Sequence, residues 1–465
     1  MTPQKFSGLT CALILSSLVS AAPLYWDGDA VAPVGGGSGV WDLTGTTWNS
    51  NPVGGPPANQ AWVNNVPPDD AVFAGVPGMV QVTAGVSAHN ITFGTGGYSL
   101  VGAGPLTLGG AAPAIDVASG QASITAPVAG SAGLVKTGAG TLGLFGVNSF
   151  SGGATVSGGR LIIDDNVALG DVGNGVTLDG GVLTLAGTSG SAGQIFGFLG
   201  TTTSPPGLSA RVITVGSGGG TVDVPALSLG NTGWVLAGDN GAGAVDPLLL
   251  AGGAAATTTF TKAGLGYLFL GDATAYGGKI VIAPNGGYLD IRGKGQITDA
   301  SGIVINSMGQ LRLENNSGLG SSRMFTSEYL GDRVGDSIPI EMNGGYIWVR
   351  ARNSTSQRSE TFGTVTLASG QNFIEGDREG QGVEITLTNL ARQTGSTVRF
   401  GGEGTLGTTG DNTRVYLGQV NGAAPDATLI GGWATITGNN FVGYGTNGVF
   451  INNGTNQGAA AFTLF

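Results

Sequence analysis

The sequence predicts an all-β protein, a right-handed parallel β-helix of stacked coils with an irregular Trp-rich cap at its N-terminus. Glycine supplies 90 of the 465 residues, and only 10% of residues are charged, whereas a typical domain has about 25%. Short alternating apolar pairs bounded by Gly, Asn, Asp and Ser dominate, and no useful helix-period pattern occurs. Hydrophobic residues make up 41%, and disorder requires low hydrophobicity, so we expect the chain to fold.

The N-terminus has the order of a secretory signal peptide, which we predict over residues 1–21. One cation, Lys5, precedes an apolar run at 11–19, and small residues follow at 20–22. The run is too short to span a bilayer, which takes about 20 apolar residues. Cleavage near Ala21 would remove the only cysteine, so we expect an exported chain without disulfide or thiol chemistry.

A unit of apolar strand, tight glycine turn and second apolar strand recurs along the chain. Copies turn at Gly159 and Gly181, and again at Gly287 and Gly309, in both cases 22 residues apart. A period of 20 or more residues indicates a solenoid or a propeller, but propeller blades need about 40. The 22-residue step therefore favours β-helix coils, whose inward side chains align in apolar ladders. We expect the inward ladder to include Leu142, Leu144, Leu161, Ile163, Leu183 and Leu185.

A longer repeat overlies the coils. A lysine-led motif begins at Lys136, and its equivalents stand 126 positions later, from Lys262. Only four lysines follow the leader, so two of them at equivalent positions are not a coincidence. The repeat-motif residues are Lys136, Gly138, Gly140, Leu142, Leu144, Phe150 and Gly152 in the first copy, and Lys262, Gly264, Gly266, Leu268, Leu270, Tyr276 and Gly278 in the second.

The first copy, taken over 133–170, resembles the autotransporter-associated β-strand repeat. The resemblance rests on G-L-V-K-T-G-A-G-T-L-G-L, then N-S-F-S-G-G and a closing A-L-G. Residues 261–291 resemble a more divergent copy, with Tyr267 where threonine is usual. The resemblance implies a bacterial passenger that is secreted or exposed on the outer cell surface, and the repeat itself implies no enzymatic activity.

Composition and repeats divide the chain into four segments. We expect a signal peptide over 1–21 and an N-terminal cap with the first β-coils over 22–125. A β-helix with both repeats should follow over 126–350, and degenerate β-coils over 351–465. The cap tryptophans Trp26, Trp41 and Trp48 resemble a Trp-rich segment found near the start of such proteins.

The last segment departs from the autotransporter pattern. Autotransporters end in a translocating outer-membrane barrel, which needs at least eight strands of about ten residues, and we expect none in 351–465. We therefore expect either an incomplete passenger, truncated at Phe465, or a chain exported by its signal peptide alone.

The net charge of −11 is spread thinly, without a basic patch. Nucleic acids and anionic membrane surfaces need clustered Lys and Arg, so we expect neither as partner, and no membrane span after signal cleavage. We expect a non-catalytic structural or adhesin-like protein, with a cell-surface or matrix polysaccharide or a host or neighbouring surface as partner. Tyr346, Trp348 and Trp433 are candidate contacts, although Tyr346 and Trp348 alternate with Ile347 and one set must face the core.

Residues for catalysis are few. His89 is the only histidine and no cysteine follows the leader, which leaves too few ligands for a zinc site. A Ser-His-Asp arrangement would have to use His89, and nothing near it in the sequence marks a nucleophile. We expect no cofactor, although the acidic turns at 69–70 and 164–165 leave calcium binding open. The enzyme alternative is a β-helical polysaccharide lyase or hydrolase, whose carboxylates must converge on a groove across adjacent coils. Its candidate cluster is Glu375, Asp377 and Glu379, with Arg350, Arg352 and Arg378 nearby.

Overall fold

A computed structural model describes most of the chain and shows a β-helix. The chain passes in turn through three sides, and the strands on each side pair in parallel with those of the neighbouring coils, as the sequence predicts. The right-handed sense of the coils stays a prediction. The described residues are 22–29, 34–53, 58–186, 195–197, 211–225, 233–236, 250–253, 257–271, 273–293, 295–314, 318–319, 322–323, 331–351, 358–378, 382–426, 430–436 and 440–452.

Three long sheets form the sides, here called the first, second and third faces. The first face contains Pro23–Trp26, Trp48–Asn49, Asp70–Phe73, Ile91–Phe93, Ala114–Val117, Leu134–Thr137, Ala154–Val156, Val176–Leu178, Ile213–Val215, Leu250–Gly252, Ala273–Tyr276 and Gln296–Ile297. The second face contains Gly39–Trp41, Met79–Val82, Ser99–Val101, Gln121–Ile124, Thr141–Leu144, Arg160–Ile163, Val182–Leu185, Gly220–Asp223, Thr259–Ala263, Lys279–Ile282, Gly302–Asn306, Ile340–Asn343, Arg358–Ser369, Val383–Arg392 and Thr413–Leu417.

The third face contains Ile195–Gly197, Gly233–Leu236, Tyr267–Leu270, Tyr288–Ile291, Gln310–Glu314, Tyr346–Ala351, Gln371–Arg378, Thr397–Gly402, Ala434–Ile436, Asn440–Gly445 and Gly448–Asn452. Smaller sheets comprise Val86–Ala88, Leu106–Leu108 and Val128–Gly130, and separately Gly318–Leu319 and Ser322–Arg323. The described residues include one short 3₁₀ helix, Asn166–Leu169. No helix among them is long and apolar enough to cross a membrane.

Inward side chains form the predicted apolar ladders. Leu142 lies opposite Leu161 and Leu161 opposite Leu183, while Leu144, Ile163 and Leu185 form a parallel column. All six are at most 1% exposed, so the predicted inward ladder is confirmed. Neighbouring strands lie about 4.8 Å apart, so each column brings aliphatic groups into contact along the axis. The 22-residue step is observed from Leu161 to Leu183.

The N-terminal end is closed by tryptophans, as the Trp-rich cap predicts. Trp26, Trp41, Trp48 and Trp62 are fully buried, with neighbouring ring centroids 4.7–5.2 Å apart. The strand Trp48–Asn49 runs antiparallel to Pro23–Trp26 and covers the edge of the first face. A blocked edge prevents another chain from adding a strand there.

The strands of the later coils differ from the earlier ones in length and, at the end of the third face, in direction. Arg358–Ser369 is 12 residues long and pairs in parallel with Val383–Arg392. After Ala434–Ile436 the third face turns antiparallel, and the hydroxyl of Tyr444 donates to the Leu417 carbonyl at 2.8 Å. The second-face ladder runs from Gly39–Trp41 to Thr413–Leu417, so the segment boundaries at 125 and 350 stay predictions from composition.

Candidate functional site

The first repeat forms a corner of the solenoid around a buried lysine. Lys136 is the penultimate residue of the first-face strand Leu134–Thr137, and its side chain is fully buried although lysine is rarely buried unless paired. Its ammonium donates to the carbonyl oxygens of Thr137, of Gly138 at 3.0 Å, and of Gly158 in the next coil at 3.2 Å. Three N–H donors meet three carbonyls, so the side chain closes its own corner and attaches it to the next one.

The second repeat builds the same corner at a different place. The Lys262 ammonium donates to Ala263 O at 2.8 Å, Gly264 O at 2.7 Å and, in the next coil, Gly286 O at 2.7 Å. Lys262 lies between the second and third faces, whereas Lys136 lies between the first and second. The repeat therefore specifies a corner, and the chain uses it on different sides of the solenoid.

The remaining motif residues support these corners. Gly138 and Gly264 have φ of 73° and 74°, and an added Cβ would stand 2.4 Å and 2.3 Å from a valine carbonyl oxygen of the preceding coil. Only glycine fits such a position. Five apolar members are fully buried in the core, namely Leu142, Leu144, Phe150, Leu268 and Leu270. At four further motif glycines the neighbouring atoms lie too close to admit a side chain, namely Gly140, Gly152, Gly266 and Gly278. The last member, Tyr276, is buried, and its hydroxyl donates to Thr258 O at 3.0 Å.

Burial of these lysines makes the stability of the folded chain depend on pH. Burial lowers the pKa of Lys262 to about 7 and that of Lys136 to about 8, with Asp223 and Asp116 partly opposing it. The unfolded chain keeps an ordinary lysine pKa of about 10.4, so between pH 7 and pH 9 it binds protons that the native state does not. The Lys262 contribution to stability therefore rises by about 2 kcal/mol from pH 7 to pH 9.

Urea unfolding of residues 22–465, with and without Lys262→Met, at both pH values measures this contribution. The difference in unfolding free energy between the two proteins should increase with pH. A constant difference would mean that the three carbonyls hold the ammonium charged throughout.

A second feature is the outer surface of the third face. Leu311, Ile347 and Ile374 point into the core, so the alternate residues of these strands point outward. One register column is half-exposed and runs over six coils, and we call it the aromatic strip. Its members are Tyr267, Tyr288, Gln310, Tyr346, Phe373 and Arg399.

The strip is ordered by stacking and by arginine. Tyr267 and Tyr288 stack with centroids 4.0 Å apart, and Tyr346 and Phe373 with centroids 5.5 Å apart. Trp348, in the adjacent outward column, has the Arg350 guanidinium 4.4 Å from its ring centroid. Such cation–π contacts hold large side chains in one conformation. Tyr346 and Trp348 therefore belong to the outer surface, and Ile347 is the core residue.

Beside the strip runs a buried ionic ladder of alternating charge. Glu314 Oε2 accepts from Arg292 at 2.7 Å, Arg312 at 2.8 Å and Arg350 at 3.3 Å. None of these four side chains is more than 7% exposed. Buried charges are tolerated only when paired, and here three cations meet three anions. The ladder consists of Asp290, Arg292, Arg312, Glu314, Arg350 and Asp377.

The predicted acidic cluster lies at the far end of this surface. Glu375 accepts from Arg399 at 2.8 Å and from the Tyr346 hydroxyl, while Asp377 accepts from Arg350 at 2.8 Å. Glu379 and Arg352 lie outside the described residues. Each described carboxylate of the cluster is thus engaged by an arginine within the sheet. The lyase alternative gains no support from this arrangement.

One more carboxyl joins this end of the surface. Burial and a hydrogen bond to Asp377 raise the pKa of Glu403, which stands on the following coil. Glu403 could not be assigned to the acidic cluster from sequence, because its proximity to Asp377 depends on the register between coils.

The other candidate residues have local roles. Both ring nitrogens of His89 have hydrogen-bond partners, Nδ1 in Asp70 Oδ1 at 3.2 Å and Nε2 in Ala111 O at 3.3 Å. These two contacts connect His89 to the neighbouring coils. Asp165 caps the 3₁₀ helix by accepting from Val167 N at 3.0 Å. Asp69 accepts from Ala22 N at 3.2 Å. Within the described ranges no group of three or more His, Cys, Asp or Glu could hold a metal ion.

Sequence reasoning missed the ionic ladder and most of the aromatic strip. The available signal was alternation of charged or aromatic residues with leucine and isoleucine, as in Y-L-D-I-R, Q-L-R-L-E and Y-I-W-V-R. In these segments the sequence indicates only Tyr346 and Trp348 as candidate contacts.

The solenoid and its lysine corners define a β-helical repeat protein, and known sequences show what it is similar to. Residues 134–163 match the family described as passenger-associated-transport-repeat. The chain is also 38% identical over 170 residues to a protein named "Adhesin BmaC autotransporter" from Brucella suis biovar 1 (strain 1330). The predicted resemblance to the autotransporter passenger repeat is confirmed.

The similarity to that adhesin is partial. It covers 37% of this chain and 5% of the relative, so the chain spans a small part of the relative's length. No solved structure matches the chain.

Proposed function

We propose that this chain is a non-catalytic, adhesin-like passenger, secreted or displayed on the outer surface of a bacterium. The stretch of 38% identity to an autotransporter adhesin is the observation that carries the proposal. The passenger-associated repeat at 134–163 supports the same route and location. A rigid solenoid suits this role because it holds a long surface in a fixed shape outside the cell.

The aromatic strip is the contact surface in this proposal. Tyr, Trp and Arg are the residues most often found at energetically dominant contacts, and all three occur on the outer third face. Their stacking and ion pairs fix their conformations before binding, which lowers the entropy cost of association. The partner is a cell-surface or matrix polysaccharide, or a host or neighbouring surface.

Engagement of the carboxylates supports a binding role over a catalytic one. A general acid or base must be able to exchange a proton with its substrate. Asp377 accepts from Arg350, and Glu375 is bonded to both Arg399 and Tyr346. These bonds hold the carboxylates in fixed structural contacts.

Export by a signal peptide cleaved near Ala21 is part of the proposal. Expressed from its full sequence, the protein should appear outside the cytoplasm with an N-terminus at or near Ala22. Intact-mass measurement of the exported chain tests this. An exported chain that still carries residues 1–21 would refute it.

Retention of coated beads tests the adhesin role. Beads carrying residues 22–465 should be retained on host-cell monolayers or on bacterial matrix above the level of albumin-coated beads. Tyr288→Ala with Phe373→Ala, which truncates two strip residues, should reduce that retention severalfold. Thr155→Ala with Thr177→Ala, on the outer side of the first face, is the matched control and should not. Retention no higher than albumin on every surface would overturn the proposal.

A further inference from the structure

The aromatic strip has the shape of a track. Its six residues occupy equivalent positions on consecutive third-face strands, so it extends about 24 Å along the solenoid axis. Small ligands are normally held in concave pockets. A cavity of about 270 Å³ in the described residues lies elsewhere, lined by Gly, Ser and Thr at 180–181, 217–221, 257, 259 and 261. A column of equivalent side chains repeated along the axis fits an extended chain laid along it.

The charge beside the strip points to a neutral ligand. Arg312 and Arg350 are bound to the carboxylates of the ionic ladder, and Arg399 is bound to Glu375. An acidic polymer needs cations that are free to replace its counterions, and these guanidiniums are already neutralised by protein carboxylates.

The polar groups of the strip fit hydroxyl groups. The Gln310 side chain is half-exposed between the two stacked aromatic pairs, and its amide offers both donors and an acceptor. At one end of the strip, Arg399 Nη2 lies 2.8 Å from Glu375 Oε1, and the Arg399 side chain is 38% exposed. A guanidinium next to a carboxylate presents donors and acceptors together, as paired sugar hydroxyls require. The ring atoms that stacking leaves uncovered would contact the apolar C–H groups of a pyranose ring.

We propose that the aromatic strip binds a neutral polysaccharide, with the sugar chain lying along the solenoid axis. The inference rests on the proposed adhesin role and specifies the ligand of its contact surface. Successive sugars would meet the rings of Tyr288, Tyr346 and Phe373, with Gln310 bonding hydroxyls between them. A folded protein partner is the competing occupant and is separated by the test.

Titration calorimetry with defined hexasaccharides tests the proposal on the mature chain, residues 22–465. The neutral ligands are hexamers of β-1,4-glucose, β-1,4-N-acetylglucosamine and α-1,6-mannose, and the acidic comparison is hexagalacturonate. At least one neutral hexamer should bind, and hexagalacturonate should bind at least tenfold more weakly. Phe373→Ala and Gln310→Ala should each measurably weaken binding of the neutral hexamer, by up to about tenfold, whereas Thr177→Ala should leave its affinity unchanged. Melting curves of each variant exclude loss through unfolding.

The outcomes separate this inference from the adhesin role. If no neutral hexamer binds, if hexagalacturonate binds as tightly, or if Phe373→Ala changes nothing, the polysaccharide inference is wrong. Beads that still adhere in that case, and lose adhesion after protease treatment of the target surface, indicate a protein partner and leave the adhesin role standing. If no neutral hexamer binds and the beads adhere to no surface, both the polysaccharide inference and the adhesin role are wrong.

Discussion

Replacing Glu314 by glutamine is expected to destabilise the solenoid by about 3–5 kcal/mol. Its Oε2 accepts from Arg292, Arg312 and Arg350, all nearly buried. Glutamine has almost the same shape, so the core packing is kept while the negative charge is lost. Three buried guanidiniums would then share the remaining anions, and an uncompensated buried charge is among the costliest defects in a protein. Urea unfolding followed by circular dichroism measures the loss.

Glu384→Gln is the matched control for this substitution. Glu384 also pairs with an arginine, Arg414 at 2.7 Å, but its side chain is 27% exposed. Pairs near solvent contribute about 1 kcal/mol or less, so this variant should lie close to the parent. Equal losses for the two variants would contradict the account of the ionic ladder.

Replacing Lys262 by methionine at pH 7 is expected to cost about 3 kcal/mol. Methionine fills most of the same volume, but the carbonyls of Ala263, Gly264 and Gly286 lose their common donor. A buried acceptor left without a partner costs about 1–3 kcal/mol, and relief of the buried charge offsets part of the sum. Thermal and urea unfolding give the value.

Lys136→Met should behave in the same way, because its ammonium makes equivalent bonds. The two corners share no bonded partner, so the effects of the double variant should add. Lys279→Met is the control, since that side chain is exposed, and it should change stability by no more than about 0.5 kcal/mol. A Lys262→Met protein as stable as this control would show that the corner does not depend on its cation.

The inward ladder could be predicted because it depends on local pattern. Leu161 and Leu183 stand in short alternating strands beside glycine turns, and the 22-residue step places them on adjacent coils. The burial of Lys136 could not be predicted in this way. Its recurrence 126 residues later indicated a shared role, but the carbonyl oxygens that bind it become neighbours only when the corner forms.

The outer surface depends on register between distant strands. Asp290, Arg312 and Trp348 occupy one column although insertions of different length separate them in the chain. Alternation alone gives two equal assignments for the Tyr346–Ala351 strand, with either parity facing inward. The pairing of Ile347 with the buried Leu311 decides between the two assignments, and that pairing forms only in the folded structure.

A designed disulfide tests the stacked, in-register solenoid most directly. Thr155 and Thr177 face outward on adjacent first-face strands and lie directly opposite each other, at about the 4.8 Å spacing of paired strands. That separation falls within the range a disulfide spans, whereas the diagonal pair Ser157 and Thr177 should be about 8 Å apart and too distant. In a protein of residues 22–465, which has no other cysteine, Thr155→Cys with Thr177→Cys should oxidise to a monomeric disulfide detected by mass spectrometry, and Ser157→Cys with Thr177→Cys should stay reduced. Closure of neither pair, or equal closure of both, would contradict the β-helix described here.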